Sequence, residues 1–281
     1  MRIIDTSEIK NRVKELLTTA NYAIGEDVMK VLQQARQSES KPIAKYVLGQ
    51  IIENNHIALD EQVPMCQDTG MAVVFIRMGQ SIFLQGMPLE EAVNQGVREA
   101  YEENFYRKSV VMDPLFNRIN TNDNTPAIIH LSITSGDKME IIVAPKGFGS
   151  ENMSAIAMLK PADGLEGVKS FILETVKKAG PNPCPPIVVG VGIGGTFEKA
   201  ALMSKEALTR DLNQVSSKKE YAQLEKELHQ EINQLNIGPG GFGGKTTCIK
   251  VSIEYYPTHI AGLPVAVNIC CHAYRHRKTV I

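Results

Sequence analysis

The sequence predicts an α+β fold of irregular mixed α/β type, with a helical N-terminal third followed by mixed strands and helices. Apolar residues recur at helical spacing through the first sixty residues, whereas later apolar runs are short and bounded by glycine, proline and asparagine. The strand runs and helix runs do not alternate regularly. This irregular order argues against a doubly wound parallel sheet.

Three helices are predicted before residue 63, and the first follows a capping pair, Asp5 and Glu8. The apolar residues that define them are Ile9, Val13, Leu16 and Leu17, then Val28, Val31, Leu32 and Ala35, then Ile43, Val47, Leu48 and Ile51 behind Pro42. This spacing is typical of helices that pack against a core. The segment after them, residues 63–70, is predicted to be a loop.

The middle of the chain predicts a strand over residues 71–78 and a helix that begins near Pro88. Residues 127–134 and 138–145 are predicted to form a hairpin, because the turn-forming residues 135–137 join them. A glycine-bearing turn over residues 146–150 then leads into another helix. Turns of this kind often bind anions, since unpaired backbone N–H groups point outward.

The second half predicts a helix over residues 163–179, a strand over residues 187–190 and a charged helix over residues 218–235. Two final strands are expected over residues 246–256 and 263–269. One domain over residues 1–281 accommodates this order, with a weak lobe boundary near residue 180.

Composition narrows the class of protein. With 281 residues, 43% of them hydrophobic, the chain has enough apolar surface for a sizeable core. A formal net charge of -1 gives no sign of the strongly basic surface that binding to nucleic acid or an anionic membrane would need. No apolar run approaches the roughly 20 residues of a membrane span, and the N-terminus lacks the apolar run of a secretory signal. We therefore expect a cytoplasmic protein.

Five cysteines in such a chain are expected to be thiols or metal ligands rather than disulfides. Cys66, Cys184 and Cys271 each lie in a loop that contains proline or glycine; a buried structural thiol is a common role for cysteine, but these loop contexts favour metal binding. Three converging thiolates would hold a 4Fe-4S cluster with one iron open to substrate. Cys248 lies in a predicted strand and is expected to be structural, and Cys270 should point away from Cys271.

A glycine motif supports a different hypothesis. Gly190, Gly192 and Gly195 form a G-x-G-x-x-G pattern between a strand and a helix, as in dinucleotide-binding folds. That fold also needs a second strand that ends in an acidic residue about 20 positions later. Asp211 is at that distance but follows no β-rich run, so the dinucleotide hypothesis is the weaker one.

Seven motifs, taken together and in this order, resemble the class I (iron-sulfur) fumarate hydratase family, α subunit or N-terminal domain, which includes L-tartrate dehydratase α subunits. They are residues 63–70 (Val-Pro-Met-Cys-Gln-Asp-Thr-Gly), 107–109 (Arg-Lys-Ser), 120–127 (Asn-Thr-Asn-Asp-Asn-Thr-Pro-Ala), 146–152 (Lys-Gly-Phe-Gly-Ser-Glu-Asn), 183–186 (Pro-Cys-Pro-Pro), 241–247 (Gly-Phe-Gly-Gly-Lys-Thr-Thr) and 257–259 (Pro-Thr-His). The resemblance covers nearly the whole chain.

The resemblance implies a set of site residues. The cluster ligands would be Cys66, Cys184 and Cys271. The last is chosen because residues 271–276 (Cys-His-Ala-Tyr-Arg-His) look like the family's Cys-x-Ala-x-Arg-His/Arg ending, and Cys270 is the fallback. The residues in contact with substrate would be Gln67, Asp68, Arg107, Gly149 and His259, with Asp68 and His259 as the catalytic pair. Gly147 is an alternative to Gly149, because Phe148 stands where the family usually has glycine.

The resemblance also implies an activity and a partner. The reaction would be the reversible hydration of fumarate to (S)-malate, a step of the tricarboxylic acid cycle, with a 4Fe-4S cluster as cofactor. A separate β subunit would supply a threonine base and complete the active site, in an α2β2 heterotetramer. The alternatives are an L-tartrate dehydratase α subunit and, from another class, a noncatalytic iron-sulfur or dinucleotide-binding protein.

Overall fold

A computed structural model describes residues 1–281 and divides the chain into two compact units. The first unit comprises Met1–Gly25, Asn55–Phe148 and Arg275–Ile281, and the second comprises Glu26–Asn54 and Gly149–Tyr274. Residue 180 lies inside the second unit. The assignment of residues 1–281 to one domain remains a prediction.

The first unit contains two helices and six strands, besides the end of a helix that begins in the second unit. They are β1 (Arg2–Asp5), α1 (Thr6–Tyr22), β2 (Met71–Gly79), β3 (Ile82–Gln85), α4 (Leu89–Glu103), β4 (Ile128–Thr134), β5 (Met139–Lys146) and β10 (Arg277–Val280). The main sheet has the order β10-β5-β2-β4, and β1 pairs with β3 in a separate parallel ribbon.

Strand β2 occupies the centre of the main sheet, with β4 parallel on one side and β5 antiparallel on the other. The predicted hairpin between β4 and β5 is therefore wrong. Strand β2 is apolar on both faces, and Val74 and Ile76 are completely buried. A strand that is apolar on both faces buries the most apolar surface when it lies inside the sheet. Leu131 and Ile133 of β4 are half exposed, as suits an edge strand.

Helix α1 confirms the predicted helical spacing. Asp5 caps it by accepting the backbone N–H of Ser7 at 2.8 Å, and its apolar face is buried against the core. The core of this unit is built from Ile9, Val13 and Leu17 of α1, Val93 and Val97 of α4, Val74 and Ile76 of β2, and Ile141 and Val143 of β5. Each such side chain contributes about 1.5–3 kcal/mol by burial.

The second unit holds most of the remaining elements, and its sheet has the order β6-β9-β7-β8. They are α2 (Glu26–Ser38), α3 (Pro42–Glu61), α5 (Phe148–Glu151), β6 (Ala155–Leu159), α6 (Gly164–Ala179), β7 (Ile187–Gly194), α7 (Phe197–Ala207), α8 (Lys219–Gln234), β8 (Cys248–Tyr256) and β9 (Leu263–Cys270). The end of α3 and the first residue of α5 belong to the first unit. Short 3-10 turns cover Pro161–Asp163 and Pro239–Gly241.

Strand β7 is buried along its whole length, with a different layer on each face. Val189 and Val191 share a core with residues of α6 and α8. Gly190 and Gly192 point to the opposite face, where the backbone of α7 comes close. A Cβ atom at either glycine would lie 2.1 Å from a carbonyl oxygen, that of Ser204 or Ala200 respectively.

Helix–sheet packing thus accounts for two glycines of the G-x-G-x-x-G pattern. Asp211 follows α7 in a turn rather than on a strand, and the chain continues into α8. The second strand that a dinucleotide site needs is missing at this position. The structure therefore does not support the dinucleotide-binding hypothesis.

We expect Gly190→Ala to destabilise the protein by about 1–3 kcal/mol, because the added methyl group overpacks the contact between β7 and α7. Gly262→Ala is the matched control, since the nearest atom to its Cβ would be 4.0 Å away. Urea unfolding of both variants measures the difference. Equal midpoints would contradict the packing role given to Gly190.

The predicted α+β class and helical N-terminal third are confirmed. The apolar pattern of the sequence does not predict strands β1, β3, β6 and β10, because each is only four or five residues long. No helix in the structure combines the length and apolar character that crossing a membrane requires.

Candidate functional site

The predicted site residues are divided between the two units. Cys66, Gln67, Asp68 and Arg107 lie in the first unit. Gly149, Cys184, His259 and Cys271 lie in the second. No group of three or more His, Cys, Asp or Glu side chains in the structure is arranged to hold a metal ion.

Cys66 lies on the loop between α3 and β2, as predicted. Met65 anchors this loop: its side chain is buried, and its backbone N–H donates to the carbonyl oxygen of Asn21 at 2.9 Å. The next residues turn outward, so that Cys66 is partly exposed and Gln67 is exposed. The thiol and the amide are therefore accessible to a ligand.

The Asp68 carboxylate is held by backbone N–H groups. Its Oδ1 accepts from Gly70 at 3.0 Å, and its Oδ2 accepts from Phe148 at 2.8 Å. Gly147 lies beside it, where a Cβ atom would come within 3.1 Å of Oδ2. Gly147 is therefore a neighbour of Asp68, whereas a Cβ atom at Gly149 would meet nothing within 4 Å.

Arg107 is joined to this loop through its backbone. The Thr69 hydroxyl donates to the carbonyl oxygen of Arg107 at 2.7 Å, while the guanidinium is exposed and makes no ion pair. The Tyr101 hydroxyl lies 2.7 Å from the carbonyl oxygens of both Thr69 and Gly70. Burial raises the pKa of Tyr101 well above its usual value, so the hydroxyl remains a donor. The backbone of Arg107 is therefore held in place, and its exposed guanidinium is available to an anion.

Asn124 ties a second segment to the same loop. It is completely buried at a φ of 61°, a conformation that asparagine tolerates better than most residues. Its Nδ2 donates to the carbonyl oxygen of Gly70 at 3.0 Å, and its Oδ1 accepts the N–H of Ser109 at 2.7 Å. The asparagine-rich motif thus has a structural role.

Arg275 is a further residue of this site that the sequence did not single out. Its Nη2 donates to the carbonyl oxygen of Asp68, and its Nε donates to that of Pro145 at 3.3 Å. The side chain is buried, its Nη1 has no partner, and no carboxylate forms an ion pair with it. Such a buried cation is costly unless an anion compensates it. The only sequence signal for it was the family-like Cys-His-Ala-Tyr-Arg-His ending.

Two predicted cluster ligands lie on adjacent loops of the second unit. The carbonyl oxygen of Cys184 accepts the backbone N–H of His272 at 3.2 Å, and His272 directly follows Cys271. Cys184 is exposed and has a φ of 52°, in the left-handed region. Cys271 follows the end of β9 and is partly exposed.

The other two cysteines are buried in the sheet of the second unit. Cys270 is the last residue of β9 and pairs with Val188. Cys248 is fully buried in β8, and burial raises the pKa of its thiol to about 12, so it stays protonated near neutral pH. Cys66, Cys184 and Cys271 are therefore the three cysteines that lie on loops and are at least partly exposed, and cysteine thiolates are the usual ligands of iron-sulfur clusters.

His259 lies on an exposed loop after β8. Its Nδ1 accepts the backbone N–H of Ala261 at 3.2 Å, which leaves Nε2 for a ligand or solvent. The loop is fixed to Gly195 by two hydrogen bonds. The Thr258 hydroxyl donates to the carbonyl oxygen of Gly195 at 2.9 Å, and the backbone N–H of Gly195 donates to the carbonyl oxygen of Pro257 at 3.2 Å. The histidine is therefore presented on an ordered turn.

Known proteins resemble the chain over nearly its whole length. The family model described as fumarate hydratase (Fumerase) matches residues 10–280. A protein named putative L(+)-tartrate dehydratase subunit alpha, from Methanocaldococcus jannaschii, is 46% identical over 272 residues, which cover 95% of each chain. The L(+)-tartrate dehydratase subunit alpha of Escherichia coli strain K12 is 33% identical over 279 residues, covering 96% of this chain and 91% of the relative.

The fold is α+β, and three of its loops carry cysteines that are at least partly exposed. The chain belongs to the fumarate hydratase (Fumerase) family. It is therefore an enzyme of the hydro-lyase class, and the hypothesis of a noncatalytic protein is not supported.

Proposed function

We propose that the chain is the α subunit of a 4Fe-4S-dependent hydro-lyase that dehydrates L(+)-tartrate, with its active site completed by a β subunit. The observation that carries this proposal is the 46% identity, over 95% of both chains, to a relative named as a tartrate dehydratase α subunit. The name "subunit alpha" in each of the relatives supports a β partner. An α2β2 assembly is the simplest closed form.

In this proposal Cys66, Cys184 and Cys271 supply three thiolates to the cluster. When bound, the cluster provides one iron without a protein ligand, a Lewis acid that withdraws charge from a hydroxyl group as it leaves. The buried positive charge of Arg275, next to the loop of Cys66, favours an anionic group at this loop.

The remaining residues bind and orient a dicarboxylate. The exposed guanidinium of Arg107 offers two parallel N–H donors to a carboxylate, and the amide of Gln67 can donate beside it. Asp68 and His259 are the proposed catalytic residues, which hold or move a proton near the departing hydroxyl. Gly149 is proposed to let the backbone approach the substrate, since no side chain crowds it.

Fumarate is the second candidate substrate, because the family model that matches residues 10–280 is described as fumarate hydratase. The sequence motifs predict fumarate as the substrate, whereas the names of the relatives favour L(+)-tartrate. Both substrates are four-carbon dicarboxylates that gain or lose water across neighbouring carbons. The same cations would bind either substrate.

The deciding experiment uses the chain co-expressed with its β partner and purified without oxygen. We expect about four irons and four sulfides per αβ pair, and conversion of L(+)-tartrate to oxaloacetate with a higher kcat/KM than that of (S)-malate to fumarate. The opposite ratio would assign the enzyme to fumarate. An iron-free complex that turns over neither compound would refute the proposal.

Arg107→Met is expected to raise KM for both substrates, whereas Arg12→Met, a surface control in the same unit, should not.

A further inference from the structure

Exposed apolar side chains are concentrated in one segment of the first unit. Of the 26 large hydrophobic residues that are exposed in the whole chain, eight lie between residues 105 and 133. They are Phe105, Met112, Leu115, Phe116, Ile119, Ile128, Leu131 and Ile133. Scattered surface apolar residues need no explanation, but a concentration of this kind indicates an interaction surface.

The centre of this segment is the loop Met112 to Ile119, here called the apolar loop. Its two ends are joined, because Met112 N–H donates to the carbonyl oxygen of Ile119 at 2.8 Å. Asp113 Oδ1 accepts the N–H groups of Leu115 at 2.7 Å and Phe116 at 2.6 Å. These bonds lower the pKa of Asp113, so the carboxylate that organises the loop is ionised at neutral pH.

The apolar loop is thus preformed, yet its tip is exposed to solvent. The side chain of Phe116 is 89% exposed and that of Leu115 is 70% exposed. A loop held by its own hydrogen bonds loses little conformational entropy when it binds. Exposed aromatic and aliphatic anchors on such a loop are typical of binding hot spots.

The base of the apolar loop is fixed to the backbone that carries Arg107. Asn120 Nδ2 donates to the carbonyl oxygen of Lys108 at 2.8 Å, and Thr121 N–H donates to that of Val110 at 2.9 Å. The carbonyl oxygen of Arg107 in turn accepts the hydroxyl of Thr69, the residue after Asp68. The loop therefore starts five residues after Arg107, on a base bonded to the Asp68 loop.

We propose that the apolar loop is a docking element for the β subunit, with Phe116 and Leu115 as its anchors. This inference rests on the proposed function, in which the β subunit completes the site at Asp68 and Arg107. A chain that reaches those residues must come close to a loop based on the same backbone. The loop carries one acidic and one basic residue, Asp113 and Arg118, so apolar burial rather than charge would drive the contact.

The test compares Phe116→Asp and Leu115→Asp with Val215→Asp, a 60% exposed apolar residue on a loop of the second unit. Each α variant is purified without oxygen, and its affinity for the β subunit is measured by calorimetry. We expect each loop variant to weaken association about 30-fold, which corresponds to about 2 kcal/mol. The Val215 variant should bind as the wild type does. Unchanged thermal unfolding of all three α chains would show that the loss does not come from misfolding.

A second readout covers the case in which a variant folds poorly. Amide hydrogen exchange of wild-type α should slow over residues 112–119 when the β subunit is added. Unchanged exchange there, or wild-type affinity of Phe116→Asp, would overturn the proposal. Unchanged β affinity with loss of α self-association in sedimentation would assign the loop to a second copy instead, and also overturn it. A complex that depends on Phe116 but turns over no dicarboxylate would uphold the docking site while refuting the proposed function.

Discussion

Cys271→Ser should abolish most iron binding, whereas Cys270→Ser should leave it largely intact. Cys271 lies beyond the end of β9, is partly exposed, and directly precedes the residue that donates to Cys184. Cys270 is buried within the strand and pairs with Val188. Removing the Cys271 thiolate would leave two ligands, and we expect iron to fall from about four atoms to fewer than about one per αβ pair.

The measurement is iron and sulfide content after anaerobic reconstitution, with EPR after mild oxidation to detect a three-iron signal in the wild type. Cys248→Ser is the matched control for loss of a buried thiol, because the raised pKa of Cys248 keeps it protonated and unsuited to bind iron. Equal iron retention in the Cys270 and Cys271 variants would contradict the ligand assignment. Iron loss in the Cys270 variant alone would transfer the role to Cys270.

Local elements were predictable where residues close in sequence determine them. Asp5 and the apolar residues of α1 identify a capped amphipathic helix, and both features are confirmed. Pairing between strands was not predictable in the same way. Residues 135–137 favour a hairpin, yet β2 inserts between β4 and β5, because burial of its two apolar faces outweighs the local turn preference.

The candidate site shows the same division. The motif around Cys66 and Asp68 predicted a loop, and the structure has one. Arg275 and Tyr101 could not be found in this way, since their partners are backbone carbonyl oxygens far away in sequence. Such bonds place no requirement on the type of the partner residue, so they leave no pattern. Residues that support a site through such bonds are thus hard to predict from sequence.

The ranking of substrates was difficult for a related reason. Arg107 and Gln67 are proposed to bind a carboxylate, which tartrate, malate and fumarate all contain. The hydroxyl group that distinguishes tartrate from malate must be recognised by further groups, and a β subunit would supply some of them. The α chain alone therefore identifies a class of substrate better than a single compound.

Asp68→Asn should reduce turnover by about 10²- to 10⁴-fold, the usual contribution of a positioned acid or base. Asparagine keeps the size of the side chain but cannot take up a proton. It also keeps only one acceptor oxygen, so one of the bonds from Gly70 and Phe148 is lost. We expect that loss to cost about 1 kcal/mol of stability, too little to unfold the protein or release the cluster.

Because both carboxylate oxygens of Asp68 already accept backbone N–H groups, a purely structural role must be distinguished from a catalytic one. A structural role predicts lower thermal stability or iron content, with kcat per bound cluster preserved. A catalytic role predicts normal iron content, a lower kcat and a changed pH profile. Asp60→Asn, an exposed aspartate at the end of α3, serves as the control. Wild-type turnover by the Asp68 variant would exclude it from the chemistry and leave His259 as the proton-handling residue to test.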